Sequence, residues 1–467
     1  MRENVRLGES ILTRSKKNKI FKHLTIARLL LLAFFILILI GTLLLMLPFA
    51  TQSGQSVGFM DALFTATSAT CVVGLTVTPT AATFSVFGQI VILLLIQIGG
   101  LGFMTITSFF YSMLGKKLTL RIRLSMSEEM SQATGAARLK SLAIKIVILA
   151  VGMEIIGVIF LTIGFCISGY SFGKSLWWGL FHSIAAFCNS GFDVVSLTGS
   201  SLIDFNGNYL ILMTLAILTG VGGLGFIVLV DISEKKRFSK LSLHTKIVIL
   251  MSLLLIFGGA FLFWIGERKN PDTIGNMPLF TQWVNCYFHS VSCRTAGFAS
   301  FDTSKMTDLS TTLTMLLMFI GVAPGSTGGG IKVTTLYILF AHVIATLQQK
   351  KYFVVDKRAI GSNTLAKAIS TLLLAISVLT ISTIIILIAE NNRPQTDLTF
   401  VIFEEISAYS TCGLSLGSSA DLSTISKLII IIDMYLGRIG AFTFFMSFAN
   451  SRKQISKIKY SEASINV

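Results

Sequence analysis

Long apolar segments recur along the whole 467-residue chain, and most approach the length of a membrane-spanning helix. A span needs about 20 predominantly apolar residues, because a helix rises about 1.5 Å per residue. Leu29–Leu47 has 19 residues and no charge, exceeds the apolar core of a signal peptide and ends at Pro48. The pattern predicts eight spans: Leu29–Leu47, Phe84–Leu114, Ile146–Phe165, Tyr209–Val230, Ile247–Ile265, roughly Leu309–Thr346, Ala368–Ala389 and Leu428–Phe448.

The composition agrees with a chain that lies mostly in a bilayer. Hydrophobic residues make up 53% and charged residues 13%, against roughly 25% charged residues in an ordinary soluble domain. This excludes a soluble enzyme. The cysteines form no C-x-x-C pair and no Cys/His zinc spacing, so neither a redox motif nor a metal site is indicated. We expect them to be small buried residues, at Cys71, Cys166, Cys188, Cys286, Cys293 and Cys412.

Lys and Arg residues are concentrated in alternate segments between the predicted spans. Residues 1–28 hold eight, 115–145 seven, 231–246 five, 347–367 five and 451–467 four, which is 29 of the 38. Cytoplasmic loops carry such an excess, so both termini are predicted to be cytoplasmic. The formal net charge of +16 is mostly this topological signal, and no nucleic-acid partner is needed to explain it.

Four segments between neighbouring spans resemble one another. They read FTATSATCVVGL, FHSIAAFCNSGF, YFHSVSCRTAGF and FEEISAYSTCGL, and they start at Phe64, Phe181, Tyr287 and Phe403. Each begins with an aromatic residue and reaches a glycine ten residues later, at Gly74, Gly191, Gly297 and Gly413. In the first, Met60–Thr70 makes a helix of roughly 15 Å, about half the hydrocarbon thickness, which fits a re-entrant segment.

This recurrence predicts an all-α polytopic membrane protein with four tandem span, pore-helix, span repeats around a pseudo-fourfold pore. We place the boundaries at 1–25 for an N-terminal tail, 26–115, 116–235, 236–350 and 351–450 for the repeats, and 451–467 for a C-terminal tail. A second echo, GGLGF, occurs at Gly99–Phe103 and Gly222–Phe226, with weaker counterparts at Gly329–Lys332 and Gly437–Phe442. Taken alone, these glycines are best explained by close helix packing.

Four half-helices that converge on an axis point their partially negative C-termini at the membrane centre, where a cation is stabilised. The glycine loops that follow can offer carbonyl oxygens in place of a hydration shell, because glycine permits the required backbone angles. We therefore expect a cation filter made of three residues from each repeat: Val72, Val73 and Gly74; Asn189, Ser190 and Gly191; Thr295, Ala296 and Gly297; and Thr411, Cys412 and Gly413. A tight re-entrant turn without an ion is the alternative.

The sixth predicted span is interrupted between Met318 and Lys332, where the sequence reads MFIGVAPGSTGGGIK. Five glycines at about 1 kcal/mol each and one proline at about 3 kcal/mol make a continuous helix costly by roughly 8 kcal/mol. We expect loop 321–330 to lie in the pore beneath the third filter segment, as a gate formed by Gly325, Ser326, Thr327, Gly328, Gly329, Gly330 and Lys332. It is not a phosphate-binding loop, because Ile331 separates the last glycine from the lysine.

Lys332 and Arg438 are costly at membrane depth, by about 2.5–3.5 kcal/mol each, so they should face the pore or a partner. Asp433, Glu154 and Glu405 are candidate partners. Arg438 is interpreted either as a barrier in the pore or as half of a structural ion pair, and Glu154 as half of a structural pair. His182 and His289 match in two half-helices, which repeat ancestry explains better than metal binding.

These residues resemble the membrane subunit of the Ktr/Trk/HKT potassium transporter superfamily, over about residues 25 to 450. The resemblance rests on the four filter glycines, CVVGL, RTAGF, GSTGGGIKVTT and GRIG, and eight spans with a short N-terminal tail resemble the bacterial Ktr branch. It implies a homodimer, one pore per protomer, in the bacterial plasma membrane. It also implies a gate at the glycine-rich loop, preference for potassium where the first filter loop has glycine, and a possible sodium activator. A cytoplasmic regulatory ring, rather than this chain, would bind nucleotide.

Two other classes of function remain as alternatives. An intramembrane enzyme is disfavoured because the chain has no H-E-x-x-H, no G-x-S-x-G and no paired membrane aspartates. An alternating-access cation carrier usually has inverted or half-molecule repeats rather than four parallel ones. A sodium-permeable relative also remains open, because the four filter triads differ and selectivity should be looser than in a symmetric TVGYG channel. Apart from K+ at the filter, no metal or covalent cofactor is expected, and lipid is the surrounding partner.

Overall fold

The computed structural model describes residues 26–102, 136–199, 201–350, 354–355, 358–359, 361–391, 397–417 and 419–448. In these ranges the chain is helical apart from connecting turns and a two-residue antiparallel pair, Val354–Val355 with Arg358–Ala359. The helices are α1 Ile26–Leu45, α2 Phe59–Cys71, α3 Thr80–Thr83, α4 Val86–Leu101, α5 Ala136–Ile167, α6 Phe172–Phe187, α7 Tyr209–Gly223, α8 Phe226–Lys235, α9 Leu243–Glu267, α10 Leu279–Ser292, α11 Asp308–Phe319, α12 Val333–Leu347, α13 Ser362–Ala389, α14 Leu398–Tyr409, α15 Thr424–Ile439 and α16 Ala441–Phe448. The predicted all-α class is confirmed. The predicted tails 1–25 and 451–467, and residues 103–114 of the second predicted span, lie outside the described residues.

Four of the described helices, α1, α5, α9 and α13, are long and apolar enough to cross a membrane, and counting two bent pairs as spans gives up to six. Helices α4, α11 and α12 are apolar but shorter. The eight-span count stays a prediction, as do the repeat boundaries. Of the six cysteines, five are buried and Cys166 is half-buried.

Two predicted spans are not single helices. Helices α7 and α8 meet at 94° and α15 and α16 at 93°, so Tyr209–Val230 and Leu428–Phe448 are wrong as continuous spans. The bends follow Gly225 at φ +88° and Gly440 at φ +89°, and Gly102 ends α4 at φ +83°. Only glycine adopts these angles without strain, so the last glycine of GGLG and of GRIG ends the helix.

Short helices α2, α6, α10 and α14 are the predicted half-helices, which we call the pore helices. Helix α2 packs on α1 and α4, α6 on α5 and α7, and α14 on α13 and α15, whereas α10 packs on α9 and on α7 of the preceding repeat. Their aromatic residues Phe64, Phe181 and Phe403 are fully buried. Each pore helix is therefore held between two other helices, which belong to its own repeat in all but the third.

The hydrogen bond that the middle filter residue makes after the pore helix spans one residue fewer in the third repeat. In the other three repeats the middle filter residue donates its N–H to the carbonyl five positions earlier, at 2.8–2.9 Å: Val73 to Ser68, Ser190 to Ala185 and Cys412 to Ser407. Ala296 donates instead to Ser292, four positions earlier, at 2.9 Å. In this segment Phe288, which lies four residues before the acceptor Ser292, is buried, and the preceding Tyr287 is half-buried.

Glycines on the inner helices contact the ends of the pore helices. A Cβ atom on Gly99, Gly222 or Gly437 would overlap a carbonyl oxygen of the adjacent pore helix, namely that of Thr70, Phe187 or Tyr409. A backbone carbonyl group cannot move aside to make room for a Cβ atom, whereas a flexible side chain could. The packing interpretation of the GGLGF echo is supported by these contacts, and Gly437 is its counterpart in the fourth repeat.

Gly222→Ala should destabilise the fold because the new methyl group would overlap the carbonyl oxygen of Phe187. We expect a loss of about 1–3 kcal/mol, seen as a lower melting temperature of detergent-solubilised protein. The matched control is Gly220→Ala in the same helix, where a Cβ meets nothing within 4 Å. Equal melting temperatures for the two variants would contradict the packing role.

Candidate functional site

The four predicted filter glycines lie side by side in a closed ring. A Cβ atom on Gly74 would overlap the carbonyl oxygen of Ser190, and one on Gly191 would lie 2.7 Å from that of Ala296. The ring continues, since a Cβ on Gly297 would overlap the carbonyl oxygen of Cys412 and one on Gly413 that of Val73. The structure thus brings all four predicted triads together, and a side chain on any of these glycines collides with the next segment.

The same backbone geometry recurs in all four segments. The first residue of each triad has a left-handed conformation, with φ of 58° at Val72, 59° at Asn189, 68° at Thr295 and 53° at Thr411. The glycines have φ of 95°, 66°, 77° and 92° in the same order. A left-handed Val is unusual because its branched Cβ crowds the backbone. Its presence shows that the turn geometry, rather than local preference, determines these angles.

The ring lies directly after the C-termini of the four pore helices, so the partial negative charge of four helix ends is directed at one place. Serine side chains hold two of the segments, because Gly74 N donates to Ser68 Oγ at 3.0 Å and Gly413 N to Ser407 Oγ at 3.0 Å. A narrow ring of this kind, with helix C-termini behind it, can bind a desolvated cation.

On one side the four glycines open into a cavity of about 240 Å³. Asp193 and Asp302 are among the lining residues. The carboxylate of Asp193 is held by two backbone N–H groups that follow it in the chain. Its Oδ1 accepts from Val195 N at 2.9 Å and from Ser196 N at 2.8 Å. Sequence reasoning did not single out Asp193. The available signal was its position two residues after Gly191, where the other repeats have Thr, Ala and Ser.

On the other side the loop 320–332 lies against the filter, and the predicted break of the sixth span is present between α11 and α12. Thr327 Oγ1 donates to Asn189 Oδ1 at 3.0 Å, and Gly329 N donates to Thr411 Oγ1 at 2.7 Å. A Cβ on Gly328 would overlap Thr295 Oγ1. The loop therefore meets the first residue of three filter segments, rather than lying beneath the third alone.

Of the remaining predicted loop residues, Gly325 contacts a neighbouring helix and Ser326 contacts the loop itself. Gly325 O accepts from Phe226 N at 3.0 Å, and Ser326 Oγ donates to Ala323 O at 2.6 Å. Gly330 has a positive φ of 69°. Glycine at this position lets the chain turn back from the filter into α12.

Both predicted basic residues bind carbonyl groups of the loop or an inner helix. Lys332 Nζ donates to Gly328 O at 2.7 Å and Gly329 O at 3.1 Å. Arg438 donates to Thr327 O and Gly99 O, and to Gly100 O at 3.3 Å. These carbonyls are thereby occupied by cationic donors, which holds the loop in place beside the filter.

The predicted acidic partners are arranged differently. Glu154 accepts from Gln97 Nε2 at 2.9 and 3.3 Å, so a glutamine takes the place expected for Lys332 or Arg438. Asp433 and Glu405 are almost fully buried, and their carboxylate oxygens have no hydrogen-bond partner among the described residues. The sequence did not indicate either arrangement, because both depend on helix packing.

The two histidines occupy equivalent places, three residues before the acceptors Ala185 and Ser292. His182 Nδ1 lies 2.8 Å from Trp178 O, and His289 Nε2 lies 3.2 Å from Thr314 Oγ1. Among the described residues no group of three or more His, Cys, Asp and Glu side chains could hold a metal ion.

Comparison with known proteins places this fold and site in a class. Residues 7–458 match the TrkH family model, described as a cation transport protein. The chain is 38% identical over 450 residues to the potassium/sodium uptake protein NtpJ of Enterococcus hirae, covering 96% of this chain and 98% of that protein. It is 37% identical over 452 residues to the Ktr system potassium uptake protein B of Bacillus subtilis, covering 96% and 99%.

The fold is also similar to the crystal structure of the potassium transporter TrkH from Vibrio parahaemolyticus. The TM-score is 0.67 at 18% sequence identity, with 89% of this chain and 84% of that chain covered. The chain belongs to the TrkH family of cation transport proteins. This family consists of membrane transporters and not of enzymes.

Gly74→Ser should reduce discrimination between potassium and sodium, because its Cβ would displace the carbonyl of Ser190. The measurement compares uptake of both ions in a bacterium deficient in potassium uptake. Gly169→Ser is the matched control, since Gly169 has a similar φ of 91° but nothing within 4 Å of a Cβ. An unchanged uptake ratio in well-expressed Gly74→Ser protein would argue against this filter segment.

Proposed function

We propose that the chain takes up potassium across the bacterial plasma membrane through a channel-like pore whose filter is the glycine ring. The closed ring of four backbone segments carries this proposal, because converging carbonyl oxygens can replace the hydration shell of an ion. All four ring positions are glycine, with no side chain to narrow or replace the carbonyl cage. The two relatives described above, named as potassium or potassium/sodium uptake proteins, support potassium as the cargo.

The acidic cavity supports entry of ions from that side. Two carboxylates near the ring raise the local concentration of cations. On the opposite side, three polar filter residues are covered by the loop 320–332. Conduction therefore requires the loop to move, and we assign it as the gate, with Arg438 as a barrier that also binds the loop.

We further propose that the protein is a homodimer with cytoplasmic termini, regulated by a cytoplasmic nucleotide-binding ring and activated by sodium. The positive segments support the orientation. The relatives named as components of a Ktr system support a partner subunit. An acidic surface on that subunit would complement the basic segments 115–145, 231–246 and 347–367.

Deleting Gly325–Gly330 tests the gate. We expect potassium flux to rise and to depend less on the cytoplasmic partner, while the potassium-to-sodium ratio changes little, because the loop obstructs the pore without forming the filter. Uptake is normalised to membrane-inserted protein and measured with and without the partner. Reduced flux in correctly inserted protein would refute the gate and indicate that the loop supports the pore wall.

The partner surface is tested by photocrosslinking in native membranes. Probes at Lys145, Lys350 and Lys367 should capture a cytoplasmic protein, and raising the salt concentration should reduce the yield, because charged surfaces are screened. A probe at Lys174, in a segment predicted to face outward, is the control and should not capture it. Recovery of lipid alone from all positions would contradict the docking surface.

A further inference from the structure

Arg294 is a buried cation that the site described above leaves without a role. It precedes the third filter triad directly and is 4% exposed. Its guanidinium donates to Ser252 O at 3.3 Å, Ser252 Oγ at 3.4 Å and Gly321 O at 3.4 Å. These acceptors are uncharged, and Arg294 Nε has no hydrogen-bond partner among the described residues. A buried guanidinium with only neutral acceptors is costly to maintain.

The third repeat is the one in which the preceding residue is basic. The equivalent positions hold Cys71, Cys188 and Ser410, all buried. In the other three repeats a glycine of the inner helix contacts a carbonyl oxygen of the pore helix. In the third repeat a Cβ atom on Gly321 would instead overlap the carbonyl oxygen of Gly329, within the loop. Arg294 connects outer helix α9, the end of pore helix α10 and the start of the loop, where the other repeats have direct packing.

Three basic side chains thus hold the carbonyl groups of one loop. Lys332 binds Gly328 and Gly329, and Arg438 binds Thr327. Both act on the part of the loop that touches the filter. Arg294 acts at Gly321, where the chain leaves α11, and it is tied to α9 through Ser252.

We propose that Arg294 is a positioning residue that holds the start of the loop through Gly321 and so keeps the loop against the filter. The inference rests on the proposed gate for its effect on flux. The position of the loop itself is independent of that function. Releasing Gly321 removes one hydrogen bond that is long, at 3.4 Å, and at the strength of an ordinary hydrogen bond its loss corresponds to roughly a fivefold shift in the exposure of the loop.

The first experiment measures loop position by thiol modification. Ser326→Cys is introduced into protein carrying Cys166→Ser, because the five other cysteines are buried. A membrane-impermeant maleimide is added from the cytoplasmic side of inverted vesicles. Arg294→Gln should increase the modification rate at position 326 roughly fivefold. An unchanged rate would overturn the proposal, whatever the flux.

Two variants separate positioning from a general structural role. Arg294→Lys keeps a cation able to reach Gly321 O and should restore most of the parental rate. Ser252→Ala removes one acceptor but leaves Ser252 O and Gly321 O, and should have a small effect. If Arg294→Gln does not insert into the membrane, the other two variants provide the test. The assignment to Gly321 would be overturned if the modification rate at position 326 were unchanged in Arg294→Lys but rose roughly fivefold in Ser252→Ala.

The second experiment measures potassium flux without the cytoplasmic partner. Arg294→Gln should raise this flux, and it should add nothing in protein lacking Gly325–Gly330, because both changes act on the same loop. If the loop moves but neither variant changes flux, the gate fails and the positioning role stands. A changed potassium-to-sodium ratio with an immobile loop would show that Arg294 acts on the filter, which overturns the proposal.

Discussion

The structure depends on bringing four backbone segments into mutual contact at the ends of four helices. Each ring glycine faces the carbonyl of the next segment at a distance that excludes a Cβ atom. The requirement is therefore steric at every position, and the positive φ values add a conformational one. Electrostatics follows from this geometry, because four converging helix ends and their carbonyls create a site suited to a cation.

The same constraint extends outward to the inner helices. To seat a pore helix close to the axis, the adjacent inner helix must approach its last turn, which Gly99, Gly222 and Gly437 allow. The last glycine of the motif, at Gly102, Gly225 or Gly440, then ends the helix. One motif thus serves two physical purposes, close packing at its start and helix termination at its end.

Much of the site was predictable because glycine spacing is visible in a single chain. The four triads, the break in the sixth span and the basic residues Lys332 and Arg438 were all identified from residue type and position. The bends at Gly225 and Gly440 were not, since an apolar run looks the same whether straight or bent. The pairing of Glu154 with Gln97 also could not be read, because it joins α4 and α5 across positions 57 residues apart.

The third repeat departs from the pattern of the other three. Four equivalent segments close the ring, whereas the proposed gate requires one segment that differs from the others. The chain keeps Gly297 in the ring but changes the hydrogen bonding of the turn before it, places Arg294 there and breaks the inner span after Phe319. The loop lies on the side of the ring opposite the cavity, and the ring itself is closed in all four segments. The buried charge of Arg294 is unfavourable for stability. Its guanidinium donates to the carbonyl oxygen of Gly321, which lies in the loop, where the backbone does not form helical hydrogen bonds.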